Sequence, residues 1–229
     1  CTCALLIAAK VIGVTRGDYV IVPTITWQST ANIVEQLDAI PLFADVERDT
    51  LNIKIEDVEN YLKKYGDKVK AVIPVHHSGL PVDIDKFNYI SKKNGVKIIY
   101  DAAHAVFSSY KGEMVGKFGE MSCFSFYATK NITTGDGGII TTNNDEIAEQ
   151  CRLWSYHGLP KDSWKRYSAE NASPHVQSVF WTGRGGIERI GRWARVWGRP
   201  GAVGLIRAIA YRRGACSFSM KPACTVSGG

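Results

Sequence analysis

A mainly parallel α/β sheet covered by helices on both faces is the architecture that this 229-residue sequence predicts. Short, near-continuous apolar runs recur along about the first 160 residues, and amphipathic stretches of helical period separate the early ones. A strand buried on both faces reads as a continuous apolar run, and helices packed on a parallel sheet bury both faces. Composition agrees: with 45% hydrophobic and 22% charged residues the chain can bury one large core, and nothing in it is collagenous, coiled-coil or disordered throughout.

The first element is "CTCALLIAAKVIGV" (1–14), where Thr2 precedes an apolar helical period. Thr2 is a candidate helix cap, and the free N–H groups at such a start also bind phosphate. "YVIVPTI" (19–25) and "PLFADV" (41–46) read as strands around a helical pattern at 29–38. "AVIPVHH" (71–77) follows a helix at 55–65, and "KIIYDA" (97–102) follows one at 83–94. "CFSFYA" (123–128) and "GGIITT" (137–142) are the last two strands read. In such folds the site lies beyond the carboxyl ends of the strands, so the residues just after each run are the candidates.

From Gly183 the texture changes to Arg, Gly, Ala and Trp. Residues 183–229 hold nine Lys and Arg against Glu188 alone, so the net charge of +6 arises there and the preceding 182 residues are mildly acidic. "VGLIRAIAYRR" has the makings of a basic amphipathic helix, but a poorly ordered tail is the preferred reading. A nucleic-acid or membrane-surface binder would rest on this tail only; neither partner is expected. No apolar run approaches the roughly 20 residues of a membrane helix and no leader pattern opens the chain. A cytoplasmic protein is expected, although the chain starts at Cys1 without an initiator Met, as one shortened at its front would. The six cysteines show no CxxC pair, and the single CxC at Cys1 and Cys3 has no second pair at zinc-like spacing. Reduced thiols and no metal are expected.

Asp101 ends a strand and is followed by small residues, so it could hold a positive group of a planar ligand; capping the next helix is the commoner role for such an Asp. Lys130 stands between "SFYAT" and the glycines at 135, 137 and 138. Desolvation by aromatic neighbours would lower its pKa and make it a nucleophile; a lysine reaching to the surface is the alternative. Trp27 lies just past a strand, placed either to stack on a flat ligand or to fill the core. Ser125 could add a phosphate contact. Together, a lysine, a carboxylate, an aromatic plate and a phosphate cradle at neighbouring strand ends are what pyridoxal phosphate requires.

Through "GDYVIVPTITWQSTAN", "PLFADVERDTLNI", "AVIPVHHSGLPVDID", "IIYDAAHAVFSSYKGEMVG", "CFSFYATKNITTGDGGIITT" and "CRLWSYHGLPKDSWKRY", the sequence resembles the DegT/DnrJ/EryC1/StrS sugar-nucleotide aminotransferases. These are fold-type-I pyridoxal phosphate enzymes, and the likeness spans about three quarters of the chain. It is nearest to enzymes making 4-amino sugars on a nucleotide, such as the UDP-4-amino-4-deoxy-L-arabinose aminotransferase. The resemblance implies that Lys130 bonds the cofactor and moves the proton, that Asp101 partners its pyridine nitrogen, and that His104 lies near its phenolic oxygen. It further implies that Trp27 covers the ring and that Thr2, Cys3 (through its backbone N–H) and Ser125 hold the phosphate. Lys130, where related sugar 3-dehydratases have His, implies transamination. The implied partners are L-glutamate, a nucleotide-linked keto sugar and a second copy of the chain.

The resemblance divides the chain into a large cofactor-binding domain at 1–182, shortened at its front, and a tail at 183–229 that is disordered, out of frame or foreign. The family's small C-terminal domain is expected to be missing. The competing expectation is a catalytically silent, cofactor-binding fragment or regulatory homologue. Lys161, Lys165 and Arg166 are further candidates for anion contacts, or a solvated helix face.

Overall fold

The computed structural model describes residues 1–156, Gly158 and the backbone of 207–211. In chain order these residues form α1 (Thr2–Val11), β1 (Tyr19–Pro23), α2 (Ser29–Glu35), β2 (Ile40–Ala44), α3 (Ile55–Tyr65), β3 (Val69–Val72), α4 (Ile84–Asn94) and β4 (Lys97–Asp101). A two-stranded hairpin, β5 (Ser109–Tyr110) and β6 (Glu113–Met114), precedes β7 (Met121–Ser125), β8 (Gly138–Thr142), α5 (Asp145–Ser155) and β9 (Arg207–Tyr211). The main sheet has the order β2-β1-β3-β4-β7-β8-β9. Pairing is parallel from β2 to β7 and antiparallel for β7–β8 and β8–β9.

Each central strand feeds two cores by alternation, as a pleated strand must. Val20 and Val22 of β1 join Leu5, Ala8, Ile33 and Ala148 from α1, α2 and α5 on one face. Ile21, Ile98 and Tyr100 join Val58, Leu62, Phe87 and Ile90 from α3 and α4 on the other.

Helix ends follow their local chemistry. Asp83 caps α4 by accepting the Lys86 N–H at 3.2 Å, and Gly95 closes it in the left-handed conformation. Asn144 caps α5 by accepting the Glu146 and Ile147 N–H groups. Thr2 does not cap α1: the cap is Cys1, whose side chain makes no capping hydrogen bond to the helix, and Thr2 is the first helical residue.

The run 71–77 is not all strand. Pro74 has no N–H to give the ladder, so β3 stops at Val72, pairing resumes as a single bridge between Val75 and Asp101, and His77–Gly79 turn as a 3-10 helix. Within the expected tail, Arg207–Tyr211 are extended, neither helical nor structureless: their backbone takes up the otherwise open edge of β8. The remaining tail residues lie outside the described ones. Among the described residues no helix is long and apolar enough to cross a membrane, and no group of three or more His, Cys, Asp or Glu could hold a metal ion.

Candidate active site

Because β1, β3, β4 and β7 run the same way, their carboxyl ends share one edge of the sheet. After β1 the chain moves outward to β2 and then returns to the other side of β1 as β3, and this reversal leaves the crevice in which such folds bind ligands. Trp27 follows β1, Asp101 ends β4, Ser125 ends β7, and Lys130 lies five residues further on.

Asp101 is 3% exposed. Its Oδ2 accepts from the Thr30 hydroxyl at 2.9 Å and its Oδ1 from the Ala103 N–H at 3.1 Å, while the Cys1 thiol lies 3.8 Å from Oδ1. Burial pushes its pKa up, and the Ala103 and Thr30 hydrogen bonds oppose that. Among the described residues no ion pair reaches this carboxylate. A buried charge held by neutral donors alone is costly, so the site is prepared for a ligand that brings a cationic N–H.

Thr30 went unread in the sequence. It is fully buried on α2, and its Oγ1 also lies 2.7 Å from that of Thr26. The signal was there, in two threonines four residues apart across a helix start. Thr30→Val keeps the shape and deletes the donor, so it is expected to cost about 1–3 kcal/mol, read as a lower urea midpoint at unchanged slope.

Lys130 is half-buried, with its Nζ 2.6 Å from His104 Nε2. Burial lowers its pKa while Asp101 pulls the other way. The pKa of His104 is lowered by burial first and then by the Lys130 charge. Burial thus makes both groups easier to deprotonate than their exposed counterparts. Lys130 is expected to acetylate at lower pH than the chain's exposed lysines, a profile that competitive labelling with mass spectrometry measures.

The first turn of α1, with Thr2 exposed and Cys3 half-buried, lies against the β7–β8 ladder, where Ser125 pairs with Gly138. A Cβ on Gly138 would stand 3.0 Å from the Cys1 nitrogen and 3.1 Å from the Phe124 carbonyl oxygen, so a larger residue would crowd the helix start here. The Cys1 thiol donates to the Cys123 carbonyl at 3.4 Å, tying the same turn to β7. Ser125 is buried and its Oγ accepts the Tyr127 N–H at 3.3 Å. Trp27 is 76% exposed, and two aromatics that the sequence reading passed over, Phe107 and Tyr127, are also exposed in the segments leaving β4 and β7. The structure thus brings Asp101, His104 and Lys130 together, and sets Thr2, Cys3 and Ser125 around one corner, with Trp27 in solvent. Lys161, Lys165 and Arg166 lie outside the described residues.

Residues 1–184 match the model of the DegT/DnrJ/EryC1/StrS aminotransferase family. The chain belongs to that family. Spore coat polysaccharide biosynthesis protein SpsC of Bacillus subtilis is 42% identical over 172 residues, 75% of this chain and 43% of SpsC. Among solved structures, a DegT/DnrJ/EryC1/StrS aminotransferase from Brucella abortus superposes with TM-score 0.69 at 31% identity, covering 78% of this chain and 47% of that one. The PLP form of Spr1654 from Streptococcus pneumoniae gives 0.63 at 30% identity, covering 69% and 45%. The chain spans less than half the length of these relatives. Its sheet is the fold of the fold-type-I aminotransferases, and pyridoxal phosphate is the cofactor of this DegT-family chain. The residues present fit that group: a buried carboxylate with no ion-pair partner that could face the ring nitrogen, an amine of lowered pKa, and a helix start packed against a glycine.

Proposed function

We propose that this chain carries the cofactor-binding part of a sugar aminotransferase that moves an amino group from L-glutamate to a nucleotide-linked keto sugar. The observation that carries the proposal is the Lys130 amine held against His104 beside buried Asp101. The polysaccharide role in the name of SpsC supports a sugar acceptor. The working enzyme on this reading is a cytoplasmic homodimer, with residues 1–182 as its cofactor-binding domain.

Pyridoxal phosphate, when bound, supplies an electron sink and a carrier for the amino group. Asp101 keeps a proton on the ring nitrogen, because a buried carboxylate gains most from a charge-assisted partner. Thr30 and the Ala103 N–H fix the direction of that carboxylate. Lys130 Nζ takes the proton from the amino donor's α-carbon and returns one at the sugar carbon. The neutral imidazole of His104 holds that amine near its place between the two steps. Thr2, Cys3 and Ser125 bind the phosphate, and Trp27 shields the ring from water.

The test is the visible spectrum of the chain with pyridoxal phosphate, before and after L-glutamate. A Lys130-dependent band that glutamate converts supports amine transfer. A band indifferent to glutamate supports the silent cofactor-binding homologue instead.

A further inference from the structure

His76 is the most deeply buried histidine of the described fold, 1% exposed, with its ring stacked on Tyr100 at 4.9 Å between centroids. Its Nδ1 accepts the Val82 N–H at 3.2 Å. An imidazole accepting at Nδ1 carries its proton on Nε2, and that atom, like the neighbouring Tyr100 hydroxyl, has no hydrogen-bond partner. Native folds rarely tolerate two such orphans, so the Nδ1 bond must do something an apolar residue could not.

What it does can be traced through the loop 76–82. The His76 N–H donates to the Asp101 carbonyl at 3.0 Å, so the loop leaves directly from the strand that ends in the site carboxylate. The loop then makes two left-handed steps, Ser78 (φ 51) and Gly79 (φ 87). Gly79 lies so close to the His104 carbonyl that a Cβ there would stand 2.9 Å from the oxygen, and the Ser108 hydroxyl donates to the Gly79 carbonyl at 2.6 Å. Asn52 clasps the same loop from outside, donating to the carbonyls of Leu80 and Pro81 and accepting the His77 N–H. The loop is the shelf under His104, and the His76 ring closes it from within.

We infer that His76 is a positioning residue of the active site: its Nδ1 holds the 76–82 loop in the shape that seats His104 against Lys130. The inference rests on the proposed role of Lys130, and it reaches the cofactor only through His104. Burial holds the His76 pKa down to about 3, so the acceptor is available wherever the protein is folded and used.

Three variants test it. Asparagine places an acceptor where Nδ1 stood, glutamine places one nearer Nε2, and alanine places none. In the cofactor-free full chain, His76→Gln and His76→Ala are expected to speed Val82 amide exchange about five- to tenfold, the factor for one buried hydrogen bond. They should shift the pH profile of Lys130 acetylation upward, while His76→Asn stays within about twofold of the parent on both measures. Equal damage from asparagine and alanine would overturn the inference, as would faster Val82 exchange with an unmoved Lys130 profile. Neither readout needs pyridoxal phosphate, so a parent chain that shows no cofactor band defeats the proposed function and still decides the role of His76.

Discussion

Lys130→Ala is expected to abolish the visible band formed with pyridoxal phosphate and to cut amine transfer by about 10²–10⁴-fold or more, the range supplied by a positioned proton-transfer group. The Nζ lies 2.6 Å from His104 and inside the Coulombic reach of Asp101. The fold should be almost indifferent to the change. A half-buried cation with a lowered pKa contributes little to stability, so the urea midpoint should move by less than about 1 kcal/mol. With the positive neighbour gone, the His104 pKa should rise, which ring-proton NMR would show. A collapse of stability together with the band would mean that Lys130 is a structural residue.

Asp101→Asn should separate stability from function with opposite signs. Without cofactor, the carboxylate is a buried charge facing neutral donors, so the amide is expected to stabilise the chain, provided its oxygen keeps the Ala103 N–H and its NH2 donates to the Thr30 hydroxyl, which turns round. With cofactor, the variant loses a charge-assisted hydrogen bond to the ring nitrogen, about 1.5–3 kcal/mol, or roughly ten- to 150-fold in affinity.

The pH dependence has a definite direction. The folded pKa of Asp101 lies above its unfolded value of about 3.9. Its favourable contribution is therefore complete below the unfolded value and is lost as pH rises through the raised folded value. The stability gap between Asp101→Asn and the parent should widen across that window and then level off. A flat gap from pH 4 to 8 would show that the carboxylate is not desolvated.

Much of this was written in the sequence because it depends on local patterns. Strands β1, β4 and β8 are apolar runs whose residues enter both cores, and α3 and α4 carry their apolar stripe at helical spacing with charge at both ends. Asp101 was legible because it ends such a run, and Lys130 because it lies just past the run that contains β7. The hidden parts depend on groups far apart in the chain. Thr30 gains its role from a carboxylate 71 residues away, and His76 is a strand residue in the sequence until Pro74 breaks the ladder and turns it inward. The cap of α1 was misplaced by one residue because its start is fixed against Gly138, not by its own hydroxyl. Helix α5 was missed because its apolar stripe is short, although Asn144 with two acids behind it is a readable start.

The seating of α1 also bears on the order in which the site is built. This helix is made before every other described element; its body packs on the nearby α2, but its first turn is seated on β7 and β8, more than 100 residues later. On a growing chain its body can pack on α2 early, while its first turn has no seat until Gly138 has been synthesised. Contacts of such large sequence separation form late, because the entropy of closing the long loop comes before any reward. The phosphate corner should thus be the last part of the site to mature on refolding. Binding of inorganic phosphate should appear in the slowest phase, after the Asp101 strand is already protected from exchange.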